Sequence, residues 1–171
     1  MKNHFADLLD RSGDYWTVVA NMARYAYSAG EEWIRRLRIS FLRTPTIDFI
    51  AHCPDVQELV LEYVSGFSDL SPLRALKRLK SLHLENLRRV SSFAGLQGID
   101  SLRYLFIGGT LDWNQPIEDF NFFAGLLNLE VFQFRFIRNQ FPYPALLSTL
   151  HLTKLKTIHY GETICGVCRD V

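Results

Sequence analysis

A short pattern of apolar positions recurs along the chain, with two leucine-like residues three positions apart and a third two positions further on. The segments that fit are Ile34-x-x-Leu37-x-Ile39, Val56-x-x-Leu59-x-Leu61, Leu79-x-x-Leu82-x-Leu84, Leu102-x-x-Leu105-x-Ile107, Leu129-x-x-Phe132-x-Phe134 and Leu155-x-x-Ile158-x-Tyr160. Successive segments begin 22 to 27 positions apart. A unit of this length cannot bury its apolar face alone, so the pattern predicts units stacked into a solenoid with a long exposed surface.

Between these segments, apolar residues fall at every third position. Two runs show this spacing: Val64, Phe67, Leu70, Leu73, Leu76, Leu79 and Leu84, Leu87, Val90, Phe93, Leu96, Ile99, Leu102. Side chains three apart line up in a 3₁₀ helix, so the spacing predicts short 3₁₀ or helical turns. The expected fold class is therefore α/β, with about six short parallel strands on a concave face and short turns on the convex face.

Residues 1–33 do not fit the repeat. Apolar residues recur there at helical spacing: Tyr15, Trp16, Val19, Met22, Ala23 and Ala26. Asp14 and Gly30 suit the two ends of a helix, so we expect a helical cap that covers the first repeat. The predicted domains are a helical N-terminal cap at 1–33, the repeats at 34–161 and a C-terminal tail at 162–171.

Two repeats carry insertions after the strand, Gly108–Pro116 and Arg138–Pro144. Insertions in a solenoid map to loops on one face, which is often the binding face. A plainer interpretation is that these prolines and asparagines only cross a wider gap.

The chain resembles the leucine-rich repeat superfamily over residues 34–160, and is most similar to the short-repeat class of bacterial internalins and phosphatase-regulating repeat proteins. The resemblance implies a non-enzymatic, protein-binding scaffold that uses the concave strand face. The family's usual Asn, eight residues after the first leucine, is replaced by Leu42, Val64, Leu87, Thr110 and Ile137. We therefore expect the ladder of Asn side chains to be absent, so that backbone groups there need other partners.

The concave face is defined here by the residues two, four and six positions after each first leucine, because side chains alternate along a strand. The candidate partner-binding residues on this face are Arg36, Arg38, Glu58, Glu62, His83, Glu85, Tyr104, Phe106, Val131, Gln133, Arg135 and His159. Tyr104 and Phe106 are expected to be exposed at the centre of the interface, since aromatic residues and Arg often dominate binding energy.

The composition favours a protein, and not a nucleic acid or a membrane, as the partner. Of the 171 residues, 48% are apolar and 22% charged, with a net charge of +1, so no global field attracts nucleic acid. No apolar stretch approaches the roughly 20 residues of a membrane helix. Asp7, Asp10, Arg11 and Asp14 interrupt the start of the chain, which favours a cytoplasmic location. A homodimer is possible, because few residues follow the last repeat to cover its apolar end.

Cys165 and Cys168 form the one motif with metal or redox character. Structural zinc needs four ligands, usually two such pairs, and only one pair is present. A zinc-binding or redox-sensing protein on a repeat platform is therefore the alternative function. The histidines show no metalloprotease spacing and no serine lies in a nucleophile elbow, so we expect no enzyme activity and no cofactor.

Overall fold

The computed structural model describes residues 34–139 and 149–160, together with residues 3–4, 9–10, 16–19 and 25–26. In chain order, the strands are β1 Asn3–His4, β2 Leu9–Asp10, β3 Trp16–Val19, β4 Tyr25–Ala26, β5 Arg36–Ser40, β6 Glu58–Glu62, β7 Ser81–Glu85, β8 Tyr104–Gly108, β9 Gln115–Ile117, β10 Val131–Arg135, β11 Ile137–Asn139 and β12 Thr157–Tyr160. The 3₁₀ helices are Asp48–His52, Ser71–Ala75, Ala94–Leu96 and Asn121–Gly125.

One sheet of eight strands runs through the molecule in the order β12-β10-β8-β7-β6-β5-β3-β2. Its neighbours pair in parallel except β2 and β3. The register places the middle leucine of each repeat in one row: Leu37, Leu59, Leu82, Leu105, Phe132 and Ile158. The predicted solenoid of six parallel repeat strands is therefore confirmed.

The core lies between this sheet and the 3₁₀ turns. Every residue in the two runs of period three is at most 3% exposed. The predicted turn at Ser71-Pro72 is also present. Asp69 accepts hydrogen bonds from the Ser71 backbone N–H at 2.8 Å and the Ser71 hydroxyl at 2.6 Å, and these bonds lower the pKa of the Asp69 carboxyl. This turn starts the helix that carries buried Leu73.

The helix predicted within residues 1–33 is wrong at Ala26, which lies in strand β4, and at Trp16–Val19, because these residues form strand β3. This strand pairs in parallel with β5, with Trp16 beside Leu37 and Val19 beside Ser40. The run of Thr17, Val18 and Val19 is β-branched, which favours a strand, and β5 otherwise leaves an open edge. The predicted residues Tyr15, Met22, Ala23 and Gly30 lie outside the described part, so a cap over 1–33 stays a prediction.

The residue directly after four of the repeat strands has a left-handed backbone. These residues are Phe41, Tyr63, Asn86 and Phe136, with φ between 49° and 58°. Asn adopts this conformation readily, but for a bulky side chain it is an outlier that costs on the order of 1 kcal/mol or more. The fold imposes the turn at each of these positions, and aromatic residues occupy three of them.

The missing Asn ladder is replaced mainly by apolar packing, since Leu42, Val64, Leu87 and Ile137 are buried. One part of the expectation is wrong. The residue beside Ile137 in the ladder is Gln115, not Thr110, because the insertion displaces the equivalent position.

The Gln115 side chain is 1% exposed and bonds to the backbone of the preceding repeat. Its Oε1 accepts the Leu87 N–H at 3.0 Å, and its Nε2 donates to the Val90 carbonyl at 2.6 Å. A polar side chain therefore satisfies this turn, as the family's Asn would.

The first insertion forms a tight turn, closed by backbone bonds between Thr110 and Trp113 of 2.8 and 3.1 Å. Leu111 at its tip is 87% exposed. Strand β9 then pairs with β11, so the end of the first insertion lies beside the start of the second. The second insertion continues beyond Asn139 into residues outside the described part.

Candidate functional site

The sheet register arranges the concave face in three rows. The first row is Arg36, Glu58, Ser81, Tyr104, Val131 and Thr157; the second is Arg38, Val60, His83, Phe106, Gln133 and His159; the third is Ser40, Glu62, Glu85, Gly108 and Arg135. All twelve candidate residues therefore lie on one face of one sheet. Their exposure, however, differs strongly between strands.

Strand β5 presents two exposed arginines, each beside a carboxylate of β6. Arg36 lies 3.2 Å from Glu58 and Arg38 lies 3.4 Å from Glu62, and Glu62 also accepts the Ser40 hydroxyl at 2.6 Å. Exposed pairs of this kind contribute about 0 to 1 kcal/mol to stability, so they are not what holds the repeats together. Their guanidinium groups stay accessible, with side-chain exposures of 48% for Arg36 and 44% for Arg38.

Phe106 lies on the concave face, but the expectation that it is exposed is wrong, because only 3% of it reaches solvent. The His83 ring stacks on it with centroids 4.1 Å apart and an interplanar angle of 12°. On the other neighbouring strand, β10, the guanidinium carbon of Arg135 lies 5.6 Å from the centroid of the Phe106 ring. Side chains from both adjacent strands thus cover the ring.

Gly108, two residues along the same strand, makes room for this arrangement. A Cβ added at Gly108 would lie 2.7 Å from the Cζ atom of Phe106. The ring therefore covers the glycine backbone. The pairing of an aromatic residue with a glycine two positions later was the sequence signal for a covered ring.

Glu85 joins the side chains that cover Phe106. Its carboxylate lies 3.0 Å from His83 Nε2 and 3.5 Å from Arg135 Nη2. Phe106, His83, Glu85 and Arg135 form one cluster, which we call the central cluster. Phe106 and Glu85 are largely covered in this cluster, whereas the Arg135 side chain is still 46% exposed and stays open to a partner.

Tyr104 is half-buried, and its hydroxyl donates to Gln133 Oε1 at 2.9 Å. Burial raises the pKa of the Tyr104 phenol above its ordinary value. Val131 is also half-buried, next to Tyr104 in the same row. His159 on β12 is exposed. These residues remain candidates for contact with a partner.

Sequence reasoning missed an exposed aromatic pair at the edge of the concave face. Phe41 is 60% exposed and Tyr63 is 39% exposed, and their rings stack with centroids 4.8 Å apart. Both follow a strand directly, in the left-handed conformation. We call Phe41 and Tyr63 the rim pair. An apolar residue in place of a turn-forming Asn or Gly was the available signal.

Within the described residues, no group of three or more His, Cys, Asp or Glu side chains could hold a metal ion. Cys53 is buried in the core. Cys165 and Cys168, the basis of the zinc or redox alternative, lie outside the described part. No helix in the described part has the length and apolar character required to cross a membrane.

No protein-family model and no curated protein matches this chain. Among solved structures, an internalin of Listeria monocytogenes is 19% identical, with a TM-score of 0.56 over 77% of this chain and 37% of its own length. Internalin C2 of Listeria monocytogenes is also 19% identical, with a TM-score of 0.52 over 75% of this chain and 62% of its own length. The chain thus spans less than two thirds of either structure, and the likeness shows a leucine-rich-repeat fold.

Proposed function

We propose that this chain is a non-enzymatic protein-binding module that grips one protein partner with its concave face. The observation that carries the proposal is the regular arrangement of side chains on that face. Parallel strands in fixed register hold charged and aromatic side chains in rows, and the arginines of β5 stay exposed. Arg and Tyr on a rigid scaffold are the residue types that supply most interface energy.

Three roles of the module in binding its partner fit this geometry. The module would serve as an adaptor, a regulatory subunit or an inhibitor of the toxin-immunity type. The internalin likeness supports the fold on which such binding is built. We expect no nucleic acid as partner, because the charge of the sequence is balanced. A cytoplasmic location and the absence of a membrane partner stay expectations from the sequence.

Affinity capture with a matched surface variant tests the proposal. Wild-type protein and a variant carrying Arg38→Glu and Tyr104→Ala are each immobilised and exposed to a lysate of the source cells. A specific partner should be retained by the wild type alone and should then bind as a purified protein in calorimetry. If only a small molecule or a nucleic acid binds the purified chain, the proposal is wrong.

Self-association is a second arrangement that one observation favours. Ile158 on β12 is 37% exposed, although Leu37 and Phe132 in the same row are fully buried. Apolar area at the last described strand suits pairing with another copy. Light scattering should then show a homodimer that Ile158→Glu dissociates, and a monomer at high concentration would exclude a stable one.

A further inference from the structure

We propose that the rim pair, Phe41 and Tyr63, together with Arg43, is a docking site for an acidic segment of the partner protein. In this arrangement an apolar side chain of the segment packs on the two rings and a carboxylate pairs with Arg43. The inference rests on the proposed function and gives it a second contact site, at the rim of the concave face. It makes the rim pair, and not Tyr104 and Phe106, the anchor of the interface.

The backbone supports a surface role for the rim pair. The fold requires a left-handed turn after these strands, and Asn86 meets the same requirement with a residue that tolerates it. Phe41 and Tyr63 are poor choices for this conformation. Phe41 is 60% exposed and Tyr63 39% exposed, and neither belongs to the core cluster. Strained backbone of this kind is concentrated at functional sites.

The stacking of the two rings gives the site a fixed shape. Phe41 and Tyr63 lie nearly parallel, with an interplanar angle of 16°, and Tyr63 is tied to β7 by a 3.0 Å bond from its N–H to the Glu85 carbonyl. Phe41 is tied in the same way to the Glu62 carbonyl at 3.1 Å. Aromatic side chains held in place lose little entropy when a partner binds, which suits an anchor.

The charge around the pair selects an acidic partner. Arg43 is exposed, follows Phe41 by two residues and forms no side-chain bond or ion pair with another described residue. Its backbone is held by a parallel bridge to Ser65, beyond Tyr63 in the next repeat. The exposed Arg38 precedes Phe41 by three residues. Arg38 pairs with Glu62, so Arg43 is the guanidinium group that a carboxylate of the partner would meet.

The same surroundings favour a protein over a nucleic acid. Stacked rings with arginines also suit single-stranded nucleic acid in general. Here, however, Glu58 and Glu62 lie on β6, where they pair with Arg36 and Arg38 of β5. Carboxylates at this position repel a continuous phosphate backbone, whereas a single acidic side chain can reach Arg43 alone.

Peptide selection tests the inference with a defined probe. A random-peptide phage library is selected on the wild-type protein and counter-selected on a rim variant carrying Phe41→Asn and Tyr63→Asn. Asn accepts the left-handed turn, so the rim variant should fold, which its unfolding curve checks. Leu127→Asn is the matched control, because Leu127 is 55% exposed on another part of the surface.

The expected peptides carry Asp or Glu beside an aromatic or aliphatic residue. A synthetic copy should bind the wild type and the Leu127→Asn control equally, and the rim variant at least about tenfold more weakly. Arg43→Gln should also weaken binding, and added salt should reduce the difference between Arg43→Gln and the wild type.

The outcomes against the inference are distinct. If peptides bind the rim variant as well as the wild type but lose affinity with Tyr104→Ala, the rim site is wrong and the proposed function stands. If no peptide is enriched, the rim site is wrong as a docking site for a peptide segment, and the affinity capture described above decides the proposed function separately. If a single-stranded RNA oligonucleotide binds and the rim variant abolishes it, the site is for nucleic acid. If light scattering shows a wild-type dimer that the rim variant dissociates, the occupant is a second copy.

Discussion

The first repeat strand, β5, and the central repeat strand, β8, carry equivalent positions of the concave face but present different side chains to solvent. On β5, Arg38 extends into solvent beside Glu62. On β8, Phe106 occupies the same row and is covered by His83 and Arg135. The difference comes from the neighbouring strands, because a large flat ring invites side chains from both sides to cover it. A row on a sheet therefore fixes the direction of a side chain, while its neighbours decide its exposure.

This difference assigns separate tasks to the two regions. The central cluster stabilises the repeats and closes the middle of the face. The arginines of β5 and the rim pair keep groups of interface type in solvent, where they contribute little to stability. Binding energy should accordingly depend on the side chains of β5 and β6 and on the rim pair.

The largest expected effects on stability come from the buried leucines beneath both regions, and they should be similar in the two regions. Leu59→Ala under β6 and Leu105→Ala under β8 should each lower the free energy of unfolding by about 2 to 5 kcal/mol, because each leaves a cavity at a fully buried position. Urea unfolding measures both. A small loss at either site would show that the core is not continuous between the regions.

The next largest effect on stability is expected at Gln115, which bonds to the backbone after the central strand β7. Gln115→Ala should cost about 2 to 4 kcal/mol, because the Leu87 N–H and the Val90 carbonyl lose their partner in a buried site. Gln97→Ala is the control, since Gln97 donates to the Asn121 carbonyl at the surface. Equal unfolding curves for the two variants would contradict the role given to Gln115.

A small effect of opposite sign is expected at the rim pair. Phe41→Asn should leave stability unchanged or raise it by up to about 1 kcal/mol, since Asn relieves the left-handed strain. Leu127→Asn, at a position of similar exposure outside such a turn, should change stability by less than about 0.5 kcal/mol. A loss above about 1 kcal/mol on Phe41→Asn would make Phe41 part of the core.

The smallest effect is a pH dependence at Tyr104. Burial raises the pKa of its phenol above the ordinary value of 10.0, so the folded protein holds that proton more tightly than the unfolded chain. The resulting stability is complete below the unfolded pKa and is lost as pH rises through the folded pKa. Wild type should therefore lose stability more steeply than Tyr104→Phe in alkaline urea titrations. Parallel slopes would show that the phenol is not buried.

Sequence alone predicts the repeat architecture because its signals are local. The positions of Leu37, Leu82 and Leu105 on strands, and of Leu73 and Leu96 on 3₁₀ turns, follow from spacing within each repeat. The register followed as well, since each repeat aligns with the next at its first leucine. The row assignments of the concave face needed nothing further.

The predictions that were wrong depend instead on contacts between repeats. The cover over Phe106 comes from two other strands, and the displacement from Thr110 to Gln115 depends on how an inserted turn closes. At Trp16–Val19 the strand depends on the open edge of β5. Counting along one chain segment gives no access to such contacts.

The most direct test of this account is the free energy of unfolding, measured by urea titration, for Phe106→Ala and Phe41→Ala side by side. The substitutions are chemically identical and both sites lie near the concave face. Phe106→Ala should cost about 3 kcal/mol by opening a cavity in the central cluster. Phe41→Ala should cost less than about 1 kcal/mol, the value of its stack with Tyr63. Equal losses, or a larger loss at Phe41, would contradict a closed centre and an open rim.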